Sequence, residues 1–305
     1  MLNIDINRLT DICLEYQQSR FYVTRIPEDF LSIAKKRFSI PTDDRIIAFL
    51  SCDLFGSGKY GVYFTSSGLY WKNWLLGKRN MKWDKLNEVQ QIEIDKDGFL
   101  SFDAQKSFNI NGSDYPPQLF KELLIALTNS FHNSKQNDIH PVIKIDEIKS
   151  TCSLFETYDE LLEPDNGLFV GTHISDKKLK EIWARYIVSK EEEIIAFLDT
   201  SVLGNLSKGS DGVLICQSGI YFRETFVHLY FPWHIFRNIP ITLNSNELEI
   251  GKGNIFHLQH ARMSSQEILL FIKNIKQHVN TLYEKISIHP IHKKKSLYNL
   301  IFHFI

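Results

Sequence analysis

The sequence predicts an α+β protein made of two similar domains in tandem, each with leading helices, antiparallel strands and a C-terminal capping helix. Two observations lead to this fold class. First, "DRIIAFLSCDLFG" at 44–56 is repeated as "EEIIAFLDTSVLG" at 192–204. Second, in each half a helical pattern is followed by short β-branched and aromatic runs, and then by one long apolar stripe.

The repeat extends well beyond this segment. The same spacing aligns "RFSIPTDDRIIAFL" with "RYIVSKEEEIIAFL", and further upstream it places Phe21 on Phe169. After three extra residues in the second copy, "GVYFTSSGLYWKN" matches "GVLICQSGIYFRE", and Trp83 matches Trp233. A tandem duplication explains this colinear match. It predicts a first domain at 1–134, a linker at 135–150, a second domain at 151–285 and a tail at 286–305.

Each copy changes its hydrophobic period in the same order. Helical segments are predicted at 29–38 and 177–186. Strands follow, which in the first copy are "IIAFL", "GVYFT", "LYWK" and "NMKWDKL". The triplets "SSG" and "QSG" predict hairpin turns with Gly68 and Gly219 at positive φ, and the "DG" pair at 97–98 predicts another.

A C-terminal amphipathic helix is predicted for each copy. The apolar stripes are Leu119, Phe120, Leu123, Leu124 and Leu127 in the first copy, and Ile268, Phe271, Ile272, Ile275 and Val279 in the second. Pro116 and Pro117 fit only the first turn of a helix, and Ser264 with Glu267 forms a capping box. We expect both helices to cover the sheets.

Composition excludes several classes of protein. A formal net charge of -1 favours no nucleic-acid partner, because such partners require a concentrated basic face. The four cysteines, Cys13, Cys52, Cys152 and Cys216, lack metal or disulfide spacing and indicate reduced thiols. Charges interrupt the N-terminal segment, and apolar runs are too short to span a bilayer, so a cytoplasmic protein is expected.

Taken together, these segments resemble a known family. The order of "IIAFL", a glycine-bearing loop, "GVYFTSSGLYWKN", a Trp-initiated strand and a terminal helix resembles the bacterial pleckstrin-homology-like (PH-like) domain, present at 40–130 and 188–282. The resemblance implies two β-barrel or sandwich domains. It also implies a binding module without catalytic residues, which interacts with a protein or a membrane surface.

The glycine-bearing loop "GSGKY" contains the first candidate binding residue, Lys59. A glycine-rich backbone beside a lysine can hold a phosphate. The loop is no P-loop, because Tyr60 replaces the magnesium-binding hydroxyl residue and the loop joins two strands. In the PH-like resemblance, this first hairpin loop is where related domains bind phosphoinositide headgroups.

The next hairpin is richer in candidate residues. In the first copy they are Lys72, Trp74, Leu75, Leu76, Lys78, Arg79 and Lys82, and in the second they are Phe226, Val227, Leu229 and Tyr230. The apolar residues are shared between the copies and the cations are not, which favours a packing or protein-docking surface in both copies, with the first copy additionally suited to an acidic partner. The alternative without a partner is that Trp71 and Trp83 are core residues, that Trp74 packs on the leading helix, and that the cations are solvated.

A non-catalytic protein-interaction scaffold is therefore the preferred function. The first alternative is peripheral binding to an anionic membrane through the hairpin 71–85 and the tail, which joins a lysine run at 293–295 to apolar residues. The second is an enzyme with its site in the cleft between the domains, where His257 and His260 would converge with carboxylates. The histidine spacing favours no metal, and the sequence contains no cofactor motif.

Overall fold

The structure is a computed structural model, and it describes residues 4–53, 57–74, 77–131, 143–158, 165–201, 211–225 and 227–288. The α+β class is confirmed in this part of the chain, where helices accompany several antiparallel sheets. The helices are α1 (Ile6–Glu15), α2 (Glu28–Ile33) with its π-helical continuation (Ala34–Phe38), α3 (Trp83–Glu88), α4 (Pro117–Ser130), α5 (Ile145–Ser153), α6 (Asp176–Arg185) after a 3-10 turn (Gly171–His173), α7 (Trp233–Phe236) and α8 (Ser265–Ile288).

Each copy contributes a five-stranded and a three-stranded sheet to the described structure. The first copy forms β1 (Phe21–Val23), β2 (Ile46–Ser51), β3 (Gly61–Thr65), β4 (Gly68–Asn73) and β5 (Gly77–Lys82), then β6 (Ile92–Ile94), β7 (Phe99–Phe102) and β8 (Gln105–Asn109). The second forms β9 (Leu168–Val170), β10 (Ile194–Asp199), β11 (Gly212–Cys216), β12 (Gly219–Arg223) and β13 (His228–Pro232), then β14 (Ile241–Asn244), β15 (Glu247–Ile250) and β16 (Asn254–His257). Strands that are neighbours in the chain pair antiparallel in every sheet.

The copies share a local distortion as well as a strand order. The register of β2 against β3 shifts between Ile46 and Ala48, and that of β10 against β11 shifts between Ile194 and Ala196. A bulge of this kind bends a strand and is a specific feature of a fold rather than an accident. Its recurrence at equivalent positions agrees with the duplication in the sequence.

The ungapped alignment is wrong by one residue at the first strand of each copy. Tyr22 pairs with Phe49 across β1 and β2, whereas Phe169 pairs with Phe197 across β9 and β10. Phe169 therefore matches Tyr22, not Phe21. The second copy accommodates one extra residue in the 3-10 turn after β9, and a one-residue shift moves a strand side chain to the opposite face.

The predicted apolar stripes lie in the core. Every stripe residue except Leu119 is fully buried, and Leu119 packs against the core from its rim. The helix starts are also confirmed, since α4 begins at Pro117 and the Ser264 backbone N–H donates to Glu267 at 3.0 Å. One continuous core runs through both copies, and smaller clusters lie beneath α2 and α6.

Strand pairing does not close a barrel in the described part of the chain. In the first copy, side chains join the two sheets: Trp71 Nε1 donates to the Ser107 carbonyl at 3.0 Å, and Asn73 Nδ2 donates to the Asn109 carbonyl at 2.8 Å. The backbone ladders of the two sheets are separate in the described residues, and these side-chain bonds link β4 to β8. Each copy is thus two open sheets around a shared core.

The predicted Trp-initiated strand is wrong, because Trp83 and Trp233 begin the short helices α3 and α7. Both indoles are buried, and each Nε1 donates to a carbonyl in the preceding hairpin turn, at Thr65 and at Gln217. The chain passes here from the five-stranded to the three-stranded sheet. A short helix connects the two sheets there, and the indole at its start lies in the core.

The turn glycines Gly68 and Gly219 have a different role from the predicted one. Their φ angles are not positive, unlike that of Gly98, which is at +73° as predicted. A Cβ on Gly68 would lie 2.2 Å from the Met81 carbonyl, and one on Gly219 would lie 2.3 Å from the Phe231 carbonyl. Glycine is required there because the next strand passes too close for a side chain.

Two of the predicted domain boundaries fall near or within helices of the structure. Helix α5 begins inside the segment 135–150 predicted as a linker. Helix α8 continues to Ile288, which lies inside the predicted tail 286–305, and residues 289–305 lie outside the described residues. The lysine run of the tail is among them.

The copies pack side by side through one edge of each five-stranded sheet. Strand β1 lies beside β13, and α1 lies beside α7. The Tyr230 backbone N–H donates to Gln17 Oε1 at 3.1 Å, and Asn254 Nδ2 donates to the Gln17 carbonyl at 3.0 Å. Arg25 Nη2 lies 3.1 Å from Glu192 Oε2. The β13 edge of the second copy is therefore occupied by the first copy.

Candidate functional site

Strand β5 of the first copy is almost wholly exposed, and we call the cationic surface along it the basic edge. The term covers Lys78, Arg79 and Lys82 on β5, with Lys72 near the end of β4 and Trp74 directly after that strand. Five of the six β5 residues are exposed, and Met81 is half-buried. Strand β5 is the last strand of its sheet, and among the described residues its one ladder partner is β4. The structure therefore brings the predicted cations together along a sheet edge.

Trp74 is presented to solvent rather than packed on the leading helix, and that prediction is wrong. Its side chain is 81% exposed, and its ring stacks on Tyr60 with centroids 6.0 Å apart. Lys72 Nζ lies 5.9 Å from the centre of the same Tyr60 ring, and Lys78 Nζ contacts Ser39 Oγ at 2.6 Å. An exposed indole beside several cations forms one end of the basic edge.

Lys59 lies next to Tyr60, but backbone N–H groups of its loop already donate to a carboxylate. Its side chain is exposed, but Asp53 accepts hydrogen bonds from the backbone N–H groups of Ser57 and Lys59. A phosphate in this loop would need those N–H donors, which the carboxylate already uses. The loop geometry therefore gives no support to phosphate binding at Lys59.

The second-copy residues predicted as a docking surface lie mostly inside the molecule. Leu229 belongs to the main core, Val227 packs half-buried against it, and Tyr230 is buried at the contact between the copies. Phe226 lies outside the described residues, as do Leu75 and Leu76. The second copy uses this hairpin to hold the first copy.

The edges of the two five-stranded sheets differ in how they are covered. Strands β1 and β13 lie beside each other at the contact between the copies. At the edge strand β9, the Val170 backbone N–H donates to Glu156 Oε1 at 2.8 Å. In the described part of the chain, β5 is left as the exposed edge. An exposed edge strand offers a row of backbone donors and acceptors to another chain.

Residue composition explains why equivalent edges behave differently. Strand β13 is "HLYFP" and its central residues are buried, whereas β5 is "GKRNMK" and is almost wholly exposed. Apolar β13 gains free energy by burial against the first copy, whereas the cations of β5 would lose hydration in the same contact. Gln17, which accepts the Tyr230 N–H, has no signal in the sequence that marks it as an interface residue.

A small pocket opens between the copies beside β13. Its walls include Tyr22 and Arg25 from the first copy, and Tyr186, Tyr221, Arg223 and His228 from the second. Burial and the nearby Arg223 lower the pKa of His228 to about 4, so its imidazole is neutral at physiological pH. Sequence analysis missed this site, because its residues are scattered over more than 200 positions and match no motif.

The two histidines predicted for an enzyme site do not lie in the pocket between the copies. His257 contacts Glu224 and Glu247, His260 contacts Gln259, and neither histidine lines the pocket. The described residues contain no cluster of three or more metal-binding side chains. The cysteines are free thiols. Within the described ranges, no helix combines the length and apolar character needed to cross a membrane.

Comparison with known proteins adds no identification. No match was found among protein-family models, curated proteins or solved structures. The basic edge and the pocket between the copies are the two candidate functional features of the described residues.

Proposed function

We propose that this chain is a non-catalytic interaction scaffold of two tandem PH-like domains, in which the basic edge pairs with an extended acidic segment of a partner protein. The observation that carries the proposal is the exposure of β5. The other edges of the two five-stranded sheets are engaged within the molecule, whereas five of the six β5 residues are exposed.

The repeated order of elements supports the PH-like part of the proposal. In the first copy, seven strands from β2 to β8 are followed by α4, and in the second copy seven strands from β10 to β16 are followed by α8. Both helices bury one apolar face against the sheets. This is the arrangement of antiparallel strands and one terminal helix that the resemblance implies, in an open rather than a barrel form.

The molecule itself provides a precedent for protein docking at this position. Strand β13, the counterpart of β5, receives the first copy through Tyr230 and Gln17. Two such modules in one chain can hold partners at a high effective concentration. Strand β5 is the equivalent edge of the first copy, and its exposure leaves it available to a segment of another protein.

Charge defines the partner. Lys78, Arg79 and Lys82 are exposed along one strand, so a basic or apolar strand that approached β5 would meet repulsion or lose hydration. An acidic extended segment gains both ion pairs and a backbone ladder, which is how added strands bind to sheet edges. Such binding should weaken as salt rises.

The test uses a fluorophore-labelled decapeptide of alternating glutamate and valine, measured by fluorescence anisotropy. We expect saturable binding that weakens at least tenfold in Lys78→Glu/Arg79→Glu, because like charges then face each other across the edge. The matched control is Lys177→Glu/Lys180→Glu, which makes the same change in net charge at exposed positions of α6 and should retain binding.

A second peptide separates strand pairing from loose charge attraction. N-methylation of alternate peptide amides removes ladder donors and leaves the charge unchanged, so we expect it to abolish binding. Equal affinity for both peptides, or equal loss in both charge-reversal variants, would show that β5 is not a pairing edge.

Peripheral membrane binding is the second candidate, and the exposure of Trp74 among cations favours it. An indole can enter the membrane interface while lysines meet anionic headgroups. Co-sedimentation with anionic liposomes at low and near-physiological salt tests it. Retention at the higher salt that disappears in Trp74→Ala would support the membrane, whereas loss of pelleting at that salt would leave the protein partner as the proposal.

A further inference from the structure

The pocket between the copies is small, and its lining combines aromatic and aliphatic side chains with a few polar groups. Its cavity volume is about 30 Å³. One water needs on the order of 10–15 Å³ measured in this way, so the space fits about two waters or a single group of similar size. A larger ligand could insert only one functional group and leave the rest outside.

Stacked rings and guanidinium groups form the walls. The Tyr221 and Tyr230 ring centroids are 4.5 Å apart, and the Arg25 guanidinium lies 5.0 Å from the centre of Tyr230. The Arg223 guanidinium lies 5.7 Å from the centre of the Tyr186 ring. These contacts hold the aromatic side chains in place and bring two positive charges to the site.

Two hydroxyl groups in this wall are unsatisfied. Tyr186 and Tyr221 are each 4% exposed, and neither hydroxyl has a hydrogen-bond partner among the described residues. A buried polar group without a partner lowers stability, and a ligand that supplies the partner recovers that loss. Burial raises the pKa of both tyrosines, so the hydroxyls remain protonated and can donate.

The first copy shows that packing does not require the Tyr186 hydroxyl. Phe38 occupies the equivalent position and meets Phe49 edge to face at 6.5 Å, just as Tyr186 meets Phe197 at 6.1 Å. Phenylalanine therefore performs the same packing without a polar atom. The hydroxyl in the second copy therefore adds nothing to this packing and supplies a hydrogen-bond donor at the pocket.

We propose that this pocket binds one carboxylate group, whose oxygens accept hydrogen bonds from Tyr186 and Tyr221. The positive charge of Arg25 and Arg223 favours an anion, although Glu192 and Asp211 each pair with one guanidinium at 3.1 Å. Those two carboxylates are outside the pocket lining, and the neutral His228 adds no charge. The group belongs either to a small free acid or to a polypeptide. The proposal does not depend on the basic edge.

The test is an NMR titration of protein labelled with ¹³C in the tyrosine rings. Sodium acetate should shift the Tyr186 and Tyr221 signals saturably, whereas sodium chloride and neutral acetamide should not. Tyr186→Phe/Tyr221→Phe should weaken acetate binding at least tenfold, as followed by the remaining tyrosine rings of the pocket, Tyr22 and Tyr230. Tyr70→Phe is the matched control at the first-copy counterpart of Tyr221, and it should leave acetate affinity unchanged.

Two further probes distinguish the sources of the carboxylate. N-acetyl-alanyl-alanine presents a chain terminus, and N-acetyl-aspartate amide presents a side chain. Tighter binding of either than of acetate indicates a polypeptide source, whereas tightest binding of acetate indicates a free acid. Equal shifts with acetate, chloride and acetamide in the wild-type protein would overturn the proposal, because the pocket then holds only water. Undiminished acetate affinity in the folded double variant would overturn it as well.

Discussion

Replacing Lys178 with methionine is expected to lower the free energy of unfolding by about 3–5 kcal/mol. Lys178 Nζ lies 2.7 Å from Asp199 Oδ2, and the two side chains are only 9% and 1% exposed. Methionine fills most of the same volume but leaves the Asp199 carboxylate buried without its cation. Urea unfolding monitored by circular dichroism measures the loss, and Lys177→Met, one residue away and exposed, should change stability little.

The first copy indicates how to remove the pair without this loss. Phe30 and Ser51 occupy the positions equivalent to Lys178 and Asp199, and Phe30 packs edge to face on Phe49. Lys178→Phe/Asp199→Ser should therefore recover most of the stability lost in Lys178→Met, because a well-packed apolar group can replace a buried ion pair. A double variant less stable than the single one would contradict the equivalence of the two copies.

Trp83→Ala is expected to cost about 3–5 kcal/mol, the usual loss for a fully buried aromatic side chain. The indole is 1% exposed, packs near Phe131 and donates to the Thr65 carbonyl. Trp74→Ala removes the same side chain from an exposed position and should change stability by less than about 0.5 kcal/mol. Urea unfolding of both variants gives the comparison. Similar losses would mean that Trp74 is packed and that the basic edge is misplaced.

Local and periodic features were predictable from the sequence. The stripe from Phe120 to Leu127 has a helical period, and Ser264 with Glu267 has a spacing that satisfies helix-end N–H groups. Both depend on neighbours within a few residues. Duplication made the prediction stronger, because each pattern was available twice.

Features that depend on distant partners were not predictable in this way. Trp83 begins a helix because the chain changes sheets there, and Gly68 is required because β5 passes 2.2 Å from its absent side chain. The burial of Tyr230 depends on Gln17, more than 200 residues away. The pocket was not predictable for the same reason, because Tyr186 and Arg25 belong to different copies and line one pocket through the contact between them.

Amide hydrogen exchange along β5 is the most direct test of the central claim, that the basic edge docks an extended acidic segment. In the free protein, the β5 N–H groups that point away from β4 should exchange fast, whereas the Tyr230 N–H, bonded to Gln17, should be protected. A saturating glutamate–valine peptide should slow the fast β5 amides at least tenfold, and Lys78→Glu/Arg79→Glu should prevent this. Unchanged β5 exchange at saturation, or protection confined to another surface, would contradict the account.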